Sequence, residues 1–172
     1  MLYNPIVMFL TGAALGALSK LLDVHTQNLG NIFSQLAIWI LLGVVIVLFS
    51  DTRGLACLDI FVFCVGMLIA YYITAEWTSS VWSPAFVYGW ALFSLFSPLF
   101  AYLTFMTKKR NVTGIILSCG IVLAAFMSSV ILFHGPRVYD FIICLALIYL
   151  LFFHKFKPEK RRRTESHTKN RT

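Results

Sequence analysis

Residues able to do chemistry are scarce in this chain, and few share a spacing that chemistry would use. His25, His134, His154 and His167 show no metal-ligand spacing, and HExxH is absent, so no metal is expected. Cys57 and Cys64 fall seven apart on one helix face, while Cys119 and Cys144 stand alone. No CxxC pair is present, which argues against a thiol–disulfide enzyme. A phosphate-binding loop, a dinucleotide fingerprint and a GxSxG elbow are missing too, so no cofactor is expected. Ser128, Ser129, His134 and Asp140 contain the residue types of a hydrolase triad, but nothing in their spacing enforces that geometry. No catalytic residue is assigned, and the reading is of a protein that is not an enzyme.

Binding chemistry is better represented. Lys20, Asp23, His25, Gln27, Asn28 and Asn31 follow one apolar segment. Glu76, Trp77 and Trp82 follow another, and His134, Arg137, Tyr139 and Asp140 surround a third turn. Tyr71, Tyr72, Tyr88 and Trp90 flank the same level. Taken singly, the aromatics suit an interfacial belt. Taken together, they predict an outward-facing pocket with aromatic walls and two or three carboxylates. Asp23, His25, Glu76, Trp77, Trp82, Tyr88, Trp90, His134 and Asp140 are its expected substrate-binding residues. Such a pocket suits a small, partly cationic or heteroaromatic solute.

The elements that must position these residues are membrane helices. Of the 172 residues, 59% are hydrophobic and 12% charged. A soluble domain carries roughly 25% charged residues. That shortfall excludes an ordinary soluble domain, a nucleic-acid module and a disordered chain. Six apolar segments are read: Leu2–Leu22, Ile32–Phe49, Leu55–Ala75, Phe86–Thr107, Thr113–Phe133 and Val138–Phe153. In hydrocarbon a backbone must satisfy its own hydrogen bonds, so each is expected to be helical. The sixth is short, and spans only with Arg137, Asp140 or His154 in the interfacial layer. The first lacks a basic leader and a clean cleavage motif, so it reads as a span. The expected fold is an all-α, polytopic membrane bundle of six transmembrane helices over residues 1–153. Residues 154–172 form a basic tail, expected to be flexible and cytoplasmic.

The net charge of +7 reports orientation. Residues 1–153 hold six Lys/Arg and five Asp/Glu, whereas residues 154–172 hold eight and two. Arg53, the Lys108-Lys109-Arg110 loop and the tail fall on one side of a six-span chain. They hold twelve of the fourteen basic residues, leaving Lys20 and Arg137 opposite. The positive-inside rule then puts both termini in the cytoplasm of a multi-pass cell-membrane protein. Asp59 lies near that cytoplasmic end, within reach of water, of Arg53 or of another basic residue. The tail's basic cluster suits anionic lipid headgroups. Asn111-Val112-Thr113 matches a glycosylation sequon but is expected to be cytoplasmic and unused.

Two features concern packing. Pro98 is expected to free the Ser94 carbonyl, with Ser94 and Ser97 available to satisfy it. Gly12, Ala13, Gly16 and Ala17 form a strip of small residues on the first helix, wide enough to admit another helix closely. The Ala13-Ala14-Leu15-Gly16-Ala17 stretch, the six helices and the short loops resemble the substrate-binding components of energy-coupling-factor vitamin transporters. That resemblance implies a solute site opening outward, mapping onto Trp77, Trp82 and Tyr88. It also implies an energising transmembrane subunit docked on the first helix at Gly12, Ala13, Gly16 and Ala17. The expected partners are the lipid bilayer, that subunit or another membrane protein, and a small organic solute, but no nucleic acid. The function read from the sequence is a solute-binding subunit of a transporter. The competing reading is a non-enzymatic scaffold or accessory subunit of a membrane complex.

Overall fold

The computed structural model describes residues 4–26, 36–80, 84–109, 111–133 and 137–153. These form six helices: α1 Pro5–His25, α2 Leu36–Phe49, α3 Arg53–Trp77, α4 Pro84–Met106, α5 Val112–Phe133 and α6 Val138–Ile148. Tyr149–Phe153 continues α6 as a π-helical turn. Trp82, His134, the tail and Gln27, Asn28 and Asn31 lie outside the described residues.

Local sequence sets the helix ends. Pro5 occupies the first position of α1, and the Asn4 side chain accepts the Ile6 N–H at 3.1 Å. Thr52 caps α3 by accepting the Leu55 N–H at 3.3 Å. Asn111 caps α5 by accepting the Gly114 N–H at 3.0 Å. The α3 C-terminus closes through Ser80 N–H to Ala75 O and Ser79 N–H to Glu76 O, both 3.1 Å. That closure holds Ser79 at a left-handed φ of 49°, the position usually given to glycine.

The fold is an all-α membrane bundle. Four helices are long and apolar enough to cross a membrane: α1, α3, α4 and α5. The other two, α2 and Val138–Phe153, are shorter apolar helices. Ile6, Leu10, Ile73, Leu95, Ile116 and Leu145 are exposed on the outside of the bundle, as lipid contact requires.

The α1–α3 seam is the most extensive helix contact. A Cβ at Gly12 would collide with the Phe63 carbonyl oxygen, and one at Gly16 with that of Met67. From the other side, Gly66 receives the Phe9 backbone. One turn further on, Lys20 meets Tyr71. The two indices rise together, so α1 and α3 run parallel. The chain between them must therefore recross the bundle, and α2 does so. Helix α2 packs on α3, α4, α5 and α6. Two apolar cores flank it, one shared with α1, α3 and α4, the other with α5 and α6.

Lys108 donates to the Ser50 carbonyl at 2.6 Å, tying the α4–α5 connection to the end of α2. Arg53 and Lys108 thus share one end of the bundle, here termed the basic end. Helix α4 resolves its internal proline through Ser97, while the Ser94 hydroxyl is buried without a partner. Ser97 Oγ–H donates to the Ser94 carbonyl at 2.7 Å, the acceptor that Pro98 cannot serve. The Pro98 carbonyl in turn accepts the Cys57 thiol of α3 at 3.3 Å.

Candidate functional site

The residues expected to form an outward pocket are distributed over separate surroundings. Lys20 is 4% exposed despite its charge. Its ammonium bonds Asp23 Oδ2 at 3.0 Å and stands 5.3 Å from the Tyr71 ring centre. The Tyr71 ring in turn meets Tyr72 edge-on at 5.3 Å between centres. The cation–π contact joins the far end of α1 to α3, while the Lys20–Asp23 pair lies within α1. Asp23 is thereby committed to Lys20. His25 is exposed, and its Nδ1 donates to the Leu21 carbonyl of its own helix at 3.0 Å.

Glu76 is exposed at the end of α3, and Trp77 beside it is 90% exposed. Tyr88 on α4 is 75% exposed. Trp90 is partly buried, packed on the core and edge-on to Phe93 at 5.8 Å. Asp140 stands apart on α6, which packs on α2 and α5. It is fully buried, and its Oδ2 accepts the Arg137 backbone N–H at 2.8 Å. Arg137 itself donates to the Tyr139 hydroxyl at 2.8 Å. The role of Asp140 in this geometry is to close the first turn of α6.

The glycine row of the small-residue strip is spent inside the chain. Gly12 and Gly16 face α3, so a separate subunit cannot use them. Ala13 and Ala17, on the neighbouring row, are half-buried.

Sequence reasoning missed a cavity inside the bundle. It measures about 580 Å³ and lies between α2, α3, α4 and α5. That volume is within the roughly 300–1,000 Å³ range of small-molecule sites. Trp39 and Val44 of α2, Phe63 of α3, Phe93 of α4, and Gly120 and Ala124 of α5 represent its walls. Its polar contributions come from Ser97, Thr104 and the Cys64 thiol. Phe100, Ile116, Gly120 and Ala124 line it and are also exposed, so it opens sideways between α4 and α5. None of Asp23, His25, Glu76, Trp77, Tyr88, Trp90 and Asp140 lines it.

A signal for this cavity exists in the sequence. Ser97, Ala101 and Thr104 recur at helical spacing on α4, and Gly120 and Ala124 are four apart on α5. Facing rows of small residues leave space where large ones would fill it. Two small rows that face each other are indistinguishable in sequence from two that each pack closely elsewhere.

Fold and cavity together define a polytopic helical membrane protein with an intramembrane, nearly apolar chamber. Over residues 1–168 the chain matches the family of unknown function DUF6518, and it belongs to that family. No curated protein and no solved structure matches it.

Proposed function

We propose that the protein is a non-enzymatic membrane subunit that binds a small, largely apolar solute in the α2–α5 chamber. The supporting observation is the chamber itself, whose walls are aliphatic and aromatic with few polar atoms. Such walls favour a ligand that enters from the bilayer and offers at most one or two hydrogen-bonding groups. This replaces the cationic or heteroaromatic solute suggested by the charged residues at the bundle's far end. In this reading the basic end, with Arg53 and Lys108, faces the cytoplasm, following the positive-inside rule. Movement of the solute across the membrane is assigned to an energising partner. Ala13 and Ala17 are the members of the α1 strip left for its docking.

Native mass spectrometry of the gently extracted protein tests the binding. Wild-type protein should carry a small apolar adduct. Gly120→Leu and Ala124→Leu, which put side chains into open space, should lose it while remaining folded. An adduct equally abundant in wild type and both variants rejects the chamber as the site. The open α4–α5 side also supports a second reading, an accessory subunit that receives a partner's helix against Gly120 and Ala124. A stable protein adduct without a small molecule would favour that reading.

A further inference from the structure

Asp59 is the least accommodated charge-bearing group among the described residues. It is fully buried on α3, and neither carboxylate oxygen has a hydrogen-bond partner. Its position near a helix end suggests contact with water or with Arg53, and the fold supplies neither. Asp59 lies six residues beyond Arg53, about 9 Å along the axis at 1.5 Å per residue. The register that sets Gly12 on Phe63 puts buried Met8 of α1 level with Asp59.

Among the described residues, the elements packed on α3 bring no counter-charge to that level, and Asp51 and Lys109 at the basic end are exposed. Helix α2 contains no titratable residue. The titratable groups of α1 are Lys20, Asp23 and His25, three turns or more beyond Met8. Helix α4 offers Tyr88 at the far end and Tyr102, which is exposed. On α3 itself, Arg53 falls on another face, and Cys57 turns to the Pro98 carbonyl. Lys108, at the basic end, is held by Ser50 and stands over the Phe105 ring.

A carboxylate anion without bonds is strongly disfavoured in such surroundings, and a neutral acid is not. A metal ion would need several further ligands. The described residues contain no group of three or more His, Cys, Asp and Glu able to hold one. Asp140 provides the internal contrast. It is equally buried, but its Oδ2 accepts a backbone N–H in the first turn of α6.

We propose that Asp59 is a proton-binding site sealed in the α1–α3 seam. It holds its proton while the seam is closed. It gives that proton to water, keeping the electron pair as carboxylate, only when water enters from the basic end. The assignment stands on this seam and is independent of what the α2–α5 chamber binds.

Infrared spectroscopy of the full chain in lipid nanodiscs tests it. A protonated-carboxyl carbonyl band should be present at neutral pH in wild type, persist in Asp140→Asn and vanish in Asp59→Asn. No such band in wild type, or an undiminished band in Asp59→Asn, overturns the proposal. If Asp59→Asn does not fold, carbon-13 labelling of aspartate in wild type and in Asp140→Asn replaces it. A band that shifts with the label and survives loss of Asp140 supports the assignment, and a band that does neither overturns it. Stability supplies a second readout. Above about pH 4, where an aspartate in the unfolded chain has released its proton and the folded protein retains it, the melting temperature should fall as pH rises. Asp59→Asn should flatten that fall, and an equally steep fall in the variant would count against the site.

Discussion

At the scale of single residues, burial and pairing separate side chains of the same type. Asp23, Asp59 and Asp140 look alike in sequence, each near the end of an apolar run. The fold pairs Asp23 with a lysine, uses Asp140 as a cap and leaves Asp59 sealed without a bond. Asp23→Asn should destabilise the protein by about 1–3 kcal/mol, because a buried ammonium loses its charged acceptor. Thermal unfolding in detergent would measure this, and Lys20→Met should mask most of the effect when the two changes are combined. The Lys20–Asp23 pair was legible in the sequence from its spacing of three on a helix. So was the Ser97 contact to the Ser94 carbonyl, because both the proline and its remedy are local. The isolation of Asp59 was not, because it depends on what α1, α2 and α4 fail to bring across from distant stretches of chain.

At the scale of elements, α1 and α3 illustrate how a seam is encoded. The glycines and alanines of α1 announced close approach of some helix. Which helix was undecided, since neighbouring rows of small residues serve an internal and an external partner equally well. The backbone contacts of Gly12 and Gly16 settle it in favour of α3. Gly12→Ala and Gly16→Ala should therefore each cost about 1–3 kcal/mol or more, because the added methyl meets fixed carbonyl oxygens. Gly120→Ala, with nothing near its missing Cβ, should be nearly neutral. Ser79 offers a change in the opposite direction. Its left-handed backbone strains a residue with a side chain, so Ser79→Gly should raise stability by about 0.5–1 kcal/mol. Melting temperatures of the four variants in one detergent would check the order.

At the scale of the whole molecule, the all-helical, membrane-embedded fold followed from composition alone. The apolar runs are too long and too continuous for barrel strands, which leaves the helix to satisfy a backbone in lipid. The chamber did not follow, because it is a property of four helices and of the space between them. Charged and aromatic residues point toward one end of the bundle, whereas the chamber lies among residues with little chemical identity. Exposure to a lipophilic, photoactivatable probe should label wild-type protein around Phe100 and Ile116 and spare Gly120→Leu, with peptide mapping as the readout. The parallel seam of α1 and α3 also fixes an order of events. While the chain is being made, α1 enters the bilayer first, and the ridge that fits its glycines is then still unsynthesised. It must wait through the insertion of α2 with that groove open to lipid. Final assembly can begin only when α3 arrives, so a chain halted after α2 has a first helix with nowhere to settle.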